Sequence, residues 1–141
     1  MSLQIESEKI LKDHGLRITK TRMAILEQFL THNAALTHSD IEEKIMDMDR
    51  ITLYRTLKSF EEKGVIHRAI DGTDKSRYAL CESSCTEHAH HHDSHVHFHC
   101  NHCEQTFCID GVSIPTFSTP AGYQVKSSDV VLNGVCPTCS A

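Results

Sequence analysis

RITLYRTLKSFEEKGVIHRAIDGTDKSRYALC, residues 50–81, carries two hydrophobic periods in succession, and the change between them points to the fold. Over 50–63, Leu53, Leu57 and Phe60 recur at helical spacing and form one apolar stripe. Thr52, Arg55 and Ser59 fall on the opposite face, with Tyr54 at its edge. Gly64 supplies the stop. VIHRAI and SRYALC then flank the polar turn DGTDK, which predicts a β-hairpin. A helix with an exposed Thr/Tyr/Arg face, followed by a hairpin, is how a winged helix-turn-helix ends.

The residues before it supply the rest of that fold. Leu3, Ile10 and Leu11 predict a helix over 3–14, stopped by Gly15. Thr19 can cap a second helix to about Leu30, with Met23, Ile25, Leu26, Phe29 and Leu30 as its apolar set. Thr37 or Ser39 can cap a third through Met48, carried by Ile41, Ile45 and Met48. Residues 1–81 are therefore expected to form a winged-helix DNA-binding domain. Thr52, Tyr54 and Arg55 are its candidate DNA contacts, supported by nearby Arg17, Lys20 and Arg22. An ordinary solvated helix face would show the same pattern.

Downstream the chain changes character. Residues 82–94 show no apolar periodicity and predict a His-rich linker. HVHFHC alternates strictly, so as a strand it puts His95, His97 and His99 on one face and Val96, Phe98 and Cys100 on the other. QTFCI predicts a second strand. Pro115 and Pro120 allow at most a turn of helix between them. QVKSSDVVLNGVC predicts one more strand, leading into Cys136-Pro-Thr-Cys139. Residues 95–141 are the second expected domain.

Charge divides at the same place. Residues 1–80 hold thirteen of the fourteen Lys and Arg and thirteen of the nineteen Asp and Glu, so that half is neutral. The remainder carries the whole net charge of −5. A neutral half binds DNA only with its cations on one face, and weakly unless dimeric. No apolar run reaches a membrane span and the N-terminus has no signal core, so a cytoplasmic protein is expected.

Between His88 and His102 lie eight of the twelve histidines, a density that points to metal. Cys100, Cys103, Cys136 and Cys139 form two C-x-x-C pairs separated by 32 residues. Two such knuckles close a tetrahedron around one zinc with no open position, so this site is expected to be structural. Two disulfides, disfavoured in a reducing cytosol, or four buried free thiols are the competing arrangements. His95 and His97 project away from Cys100 and need another ion. Their candidate partners are His67, Cys81, and Cys108 or Asp110. Thiolate with imidazole favours zinc or a softer ion over ferrous iron or manganese. His88, His90, His91 and His92 suit a tether with incidental metal binding.

GLRITKTR (15–22), ITLYRTLKSFEEKGVI (51–66), the His-rich run into CNHC, and the terminal CPTC together resemble the ferric uptake regulator superfamily of bacterial metal-dependent repressors. The resemblance spans nearly the whole chain. It implies an α+β protein: a winged-helix domain followed by a small α/β dimerisation domain, acting as a homodimer on palindromic double-stranded operator DNA. It implies that Tyr54 and Arg55 face DNA and that Arg17 reaches toward the minor groove. Of the usual iron-type sensing ligands, two imidazoles survive as His95 and His97, but Ala35, Ala79 and Cys108 stand where the resemblance puts a His and two carboxylates. VIHR and YALC instead look like the zinc uptake regulator branch, where His67 and Cys81 would be ligands. The expected regulatory set is thus His67, Cys81, His95, His97 and Cys108, and the expected function is zinc-sensing repression without enzyme activity. The alternatives are a repressor sensing iron, manganese, nickel or peroxide, a zinc metalloenzyme, and a zinc buffer that does not bind DNA. Against an enzyme, Cys103 of the one H-x-E match lies inside a knuckle, and no H-E-x-x-H occurs.

Overall fold

The structure, a computed structural model, describes residues 2–80, 96–109, 112, 115–126 and 128–141. The expected linker at 82–94, and Cys81, His95 and Asp110, lie outside the described residues.

The first half holds α1 (Leu3–Asp13), α2 (Lys20–Thr31), α3 (His38–Lys44) and α4 (Arg50–Glu62). Side-chain oxygens of Ser2, Thr19, Thr37 and Asp49 accept a backbone N–H in the first turn of each. Thr37 and Asp40 complete a reciprocal capping box. At the end of α4, Gly64 turns at φ 79°. Its amide donates to Glu61 O at 3.2 Å, and the Val65 amide donates to Phe60 O at 2.8 Å. This Schellman closure makes a stiff junction into β2 (Ile66–Arg68). β2 pairs antiparallel with β3 (Arg77–Leu80), which also pairs with the two-residue β1 (Leu36–Thr37). Leu11, Ile25, Leu26, Ile41, Leu53 and Phe60 form the centre of the core, where Leu53, Leu57 and Phe60 bury the apolar stripe of α4.

The second half is a three-stranded sheet, in the order β5 (Thr106–Ile109), β4 (Val96–Cys100), β6 (Val130–Gly134). β4 runs antiparallel to β5 and parallel to β6. The short α5 (Pro137–Ser140) carries Cys139. Among its described apolar residues only Val96, Cys100 and Cys136 are buried. Phe117, Tyr123, Val125, Leu132 and Val135 are exposed. Among the described residues this half therefore has little core of its own, and ligation or association would add to its stability.

Three details differ from expectation. The third helix stops at Lys44, not Met48, with Ile45 extended at φ −116°, ψ 97°. Asp47 and Asp49 would oppose the negative end of a longer helix, and Ile45 and Met48 reach the core without helical geometry. The last strand begins at Val130 because it pairs with β4, whose register runs from Val96↔Val130 to Cys100↔Gly134. β1, two residues long, is too short to show a period.

The halves meet through backbone and side chains. The Ala35 amide donates to Thr106 O at 2.7 Å. Asp71, 4% exposed, accepts from Thr106 Oγ1 at 2.6 Å and pairs with Arg77 Nε at 2.8 Å. Burial pushes the Asp71 carboxyl up, but bonds from Thr106 and Thr73, with Arg77 alongside, outweigh it and bring it to about 2. With the unfolded value near 3.9, this carboxylate contributes its full stability above about pH 4 and loses it as pH falls toward 2. Asp71→Asn is therefore expected to flatten the dependence of stability on pH in that window. Urea midpoints of both proteins from pH 5 to 2 check it, and parallel curves would refute it.

Candidate metal centres

The two cysteine pairs come together at one end of the second sheet. Sγ atoms of Cys100, Cys103, Cys136 and Cys139 all lie within 4.8 Å of one another. Cys103 Sγ and Cys136 Sγ are 3.9 Å apart. A tetrahedral zinc with bonds of about 2.3 Å has an edge of roughly 3.8 Å, so the cluster fits that ion. Backbone sets the geometry. β4 delivers Cys100, and the chain turns through Glu104 at φ 62°. The Asn101 amide donates to Gly134 O at 2.7 Å, tying the first knuckle to β6. Amides of Cys103 and Cys136 point at Cys100 Sγ at 3.5 and 3.3 Å. Those N–H groups, the Cys103 amide foremost, bring the Cys100 thiol down to about 6. Hydrogen bonding with Cys136, together with burial, pushes Cys139 up to about 12. One thiolate is thus favoured before a cation arrives, and ligation must displace the proton from Cys139.

The second grouping lies where the halves meet. His67 on β2, His97 on β4 and Cys108 on β5 offer ligand atoms that all lie within 4.8 Å of one another. His67 and His97 are 4% and 1% exposed, with ring centroids 5.7 Å apart. His97 and Cys108 are register partners, which puts them side by side on one sheet face. Two imidazoles and one thiolate suit zinc. Between Cys108 and Asp110, only Cys108 lies among the described residues. Cys81 and His95 follow Leu80 and precede Val96 in sequence, outside the described residues. Around Cys108 pack the apolar side chains of Ala35, Ala69 and Ala79.

In the first half, Tyr54 is 58% exposed on α4, and Arg55 is exposed beside it. The Thr52 hydroxyl donates to Asp49 Oδ2 at 2.9 Å, so it also serves the helix cap. Arg17 is exposed, and its carbonyl accepts from Arg22 Nη1 at 2.7 Å, which steadies the loop ahead of α2. Arg17, Arg22, Thr19, Thr52 and Thr56 share one depression of about 410 Å³. Among the described residues, no helix is long and apolar enough to cross a membrane.

Reading along the chain missed the polar residues between the halves. Asp71 looked like an ordinary turn residue, and Thr106 like a strand start. His99 continued the alternation of its strand, and its Nδ1 lies 3.0 Å from Thr106 Oγ1. No local pattern could have joined residues 71, 77, 99 and 106.

The sequence profile of the ferric uptake regulator family matches residues 13–132. A ferric uptake regulation protein of Staphylococcus aureus is 33% identical over 138 residues, covering 93% of each chain. The peroxide operon regulator of Bacillus subtilis is 29% identical over 143 residues, covering 96% of this chain and 92% of that protein. Among solved structures, a zinc uptake regulator complexed with zinc and DNA superposes with a TM-score of 0.65 at 21% identity, over 98% of this chain and 93% of that one.

Proposed function

We propose, from the premise that this chain belongs to the ferric uptake regulator family, that it is a zinc-sensing transcriptional repressor acting as a homodimer on palindromic operator DNA. That it is a metal-responsive transcriptional regulator follows from the family itself. The proposal concerns the ion, the sign of regulation, the assembly and the residues. One observation carries it: His67, His97 and Cys108, from both halves of the chain, converge within ligand distance.

In this reading the four cysteines hold a structural zinc that stabilises the second sheet. His67, His97 and Cys108, joined by Cys81 and His95, hold the sensed zinc. When bound, that cation supplies a cross-link between β2 and the β4–β5 pair. The chain does the rest. His67 sits three residues after Gly64, whose closure leaves little play between β2 and α4. Fixing His67 therefore fixes the angle of α4, and with it Tyr54 and Arg55. In a dimer, one such angle sets the two reading helices about 34–36 Å apart. Without it, the fraction of competent dimer falls, and operator affinity falls by that fraction. The exposed Phe117, Tyr123, Val125, Leu132 and Val135 offer apolar surface for a second copy. Residues 1–81, 82–94 and 95–141 then act as reading head, tether, and ligation and dimer unit.

Iron or manganese sensing has less support, because Ala35 and Ala79 stand where the family resemblance puts an imidazole and a carboxylate ligand. The chain's resemblance to a peroxide regulator leaves oxidation of Cys108 as a second input.

The experiment is an operator titration at fixed salt, using protein that retains one zinc per chain, with and without added zinc. Zinc is expected to tighten binding at least tenfold, about 1.4 kcal/mol. Arg55→Ala should weaken specific binding at every zinc level. Equal affinity in both zinc conditions rejects the sensing assignment, and an unweakened Arg55→Ala rejects the recognition helix.

A further inference from the structure

Asp71 lies in the turn between β2 and β3, where a polar residue has no need to be buried. Yet its side chain is 1% exposed, and its partners come from both halves of the chain. Thr73 N and Oγ1 donate to Oδ1 at 2.9 and 2.6 Å, holding the carboxylate inside its own turn. Arg77, on β3, pairs with Oδ2 at 2.8 Å. Thr106 Oγ1, on β5, donates to the same oxygen at 2.6 Å. His99 Nδ1, on β4, lies 3.7 Å from Oδ2 and 3.0 Å from Thr106 Oγ1. Arg77 also donates from Nη2 to the carbonyl of Glu104, which directly follows the knuckle cysteine Cys103. One buried carboxylate therefore joins the wing turn to β5, and its arginine joins the wing to the edge of the four-cysteine cluster. None of these groups is among the proposed ligands.

We propose that Asp71 is a positioning residue that holds the two halves docked before any regulatory cation binds. The proposal rests on the sensing reading above only for its consequence, not for the latch itself. Taking an aspartate and an arginine out of water costs free energy that a solvated wing turn would avoid. What the burial gives is selectivity of placement, because only one arrangement of the sheets satisfies Asp71, Arg77, Thr106 and the Glu104 carbonyl together. His97 and Cys108 share their strands with His99 and Thr106. Docking through Asp71 therefore carries the ligand pair toward His67 in advance, and the cation is spared part of the ordering cost.

The backbone contains its own reporter of docking. The Ala35 amide belongs to the first half, is 3% exposed as a residue, and donates to Thr106 O across the boundary. The Leu57 amide, inside α4, reports the first half alone. Thr106→Val removes the hydroxyl and leaves the Asp71–Arg77 pair. Asp71→Asn weakens both. Amide exchange is followed by NMR in protein that retains one zinc per chain and has no other metal.

Both variants are expected to speed exchange at Ala35 at least tenfold while leaving Leu57 within twofold, and to raise the zinc needed for half-maximal operator binding. Unchanged Ala35 protection in both variants overturns the latch. Equal acceleration at Leu57 assigns these side chains to general stability and overturns it too. A loosened Ala35 with an unmoved zinc midpoint overturns the link to the cation. If wild-type operator affinity ignores zinc, the sensing reading fails while the exchange result at Ala35 still stands.

Discussion

Replacing Cys136 by serine is expected to cost the protein its zinc and the order of its second sheet together. Cys136 is 3% exposed, its sulfur lies 3.9 Å from Cys103, and its amide donates to Cys100. It therefore supplies a ligand and also shapes another. Closed zinc sites in small domains contribute on the order of 10 kcal/mol of folding free energy, as much as whole domains have to spare. The second half has little to set against that loss, because Phe117, Tyr123, Val125, Leu132 and Val135 are exposed and, among its described apolar residues, only Val96, Cys100 and Cys136 are buried. Cys136→Ser is thus expected to hold less than one zinc per chain and to lose the cooperative unfolding of β4–β6, while α1–α4 keep their helical signal. Metal analysis with circular dichroism and amide exchange measures all of this. A variant that keeps a full equivalent of zinc and unfolds with the wild type would remove the cluster from its structural role. Ligation displaces thiol protons, so zinc uptake by the stripped protein should also release protons.

His97→Ala is expected to keep that zinc and lose the response. His97 is 1% exposed, faces His67 across the boundary between the halves, and is paired in register with Cys108. Removing one of the converging ligands should weaken regulatory zinc by on the order of 100-fold, about 2.7 kcal/mol. Operator affinity should then stay at its zinc-free level over the usual range of zinc. Truncating a buried ring also leaves a cavity, so a second variant is needed. Cys108→Ser keeps the shape and hardens the ligand set. It should weaken zinc while shifting preference toward harder divalent ions. Isothermal titration with zinc and with manganese, beside operator binding, reads both. A wild-type zinc response in His97→Ala would rule out this site as the sensor.

The parts legible in the chain were those whose signal is local. Leu53, Leu57 and Phe60 lie at helical spacing, so their burial on α4 was readable from residues 53–60 alone. Gly64 and the turn DGTDK mark the junction and the hairpin, because backbone handedness restricts which residues fit there. The two C-x-x-C pairs were readable because two intervening residues are what a knuckle needs, and the structure brings all four thiols together. The alternation in HVHFHC put His97 and His99 on one face, and both are buried against the first half.

What needed the folded molecule was everything set by the placement of one sheet against the other. Sequence placed Cys108 in the expected regulatory set with Asp110 as its alternative, and the register His97↔Cys108 puts that thiol beside an imidazole. Asp71 meets Thr106 across 35 positions, and no spacing rule reaches that far. The short β1 and the early end of α3 depend on which strand and which core were available to pair with. Periodicity reports how a segment partitions between water and an apolar interior. It is silent on which two interiors meet, and in this protein the His67, His97 and Cys108 grouping and the Asp71–Thr106 bond both lie on that boundary.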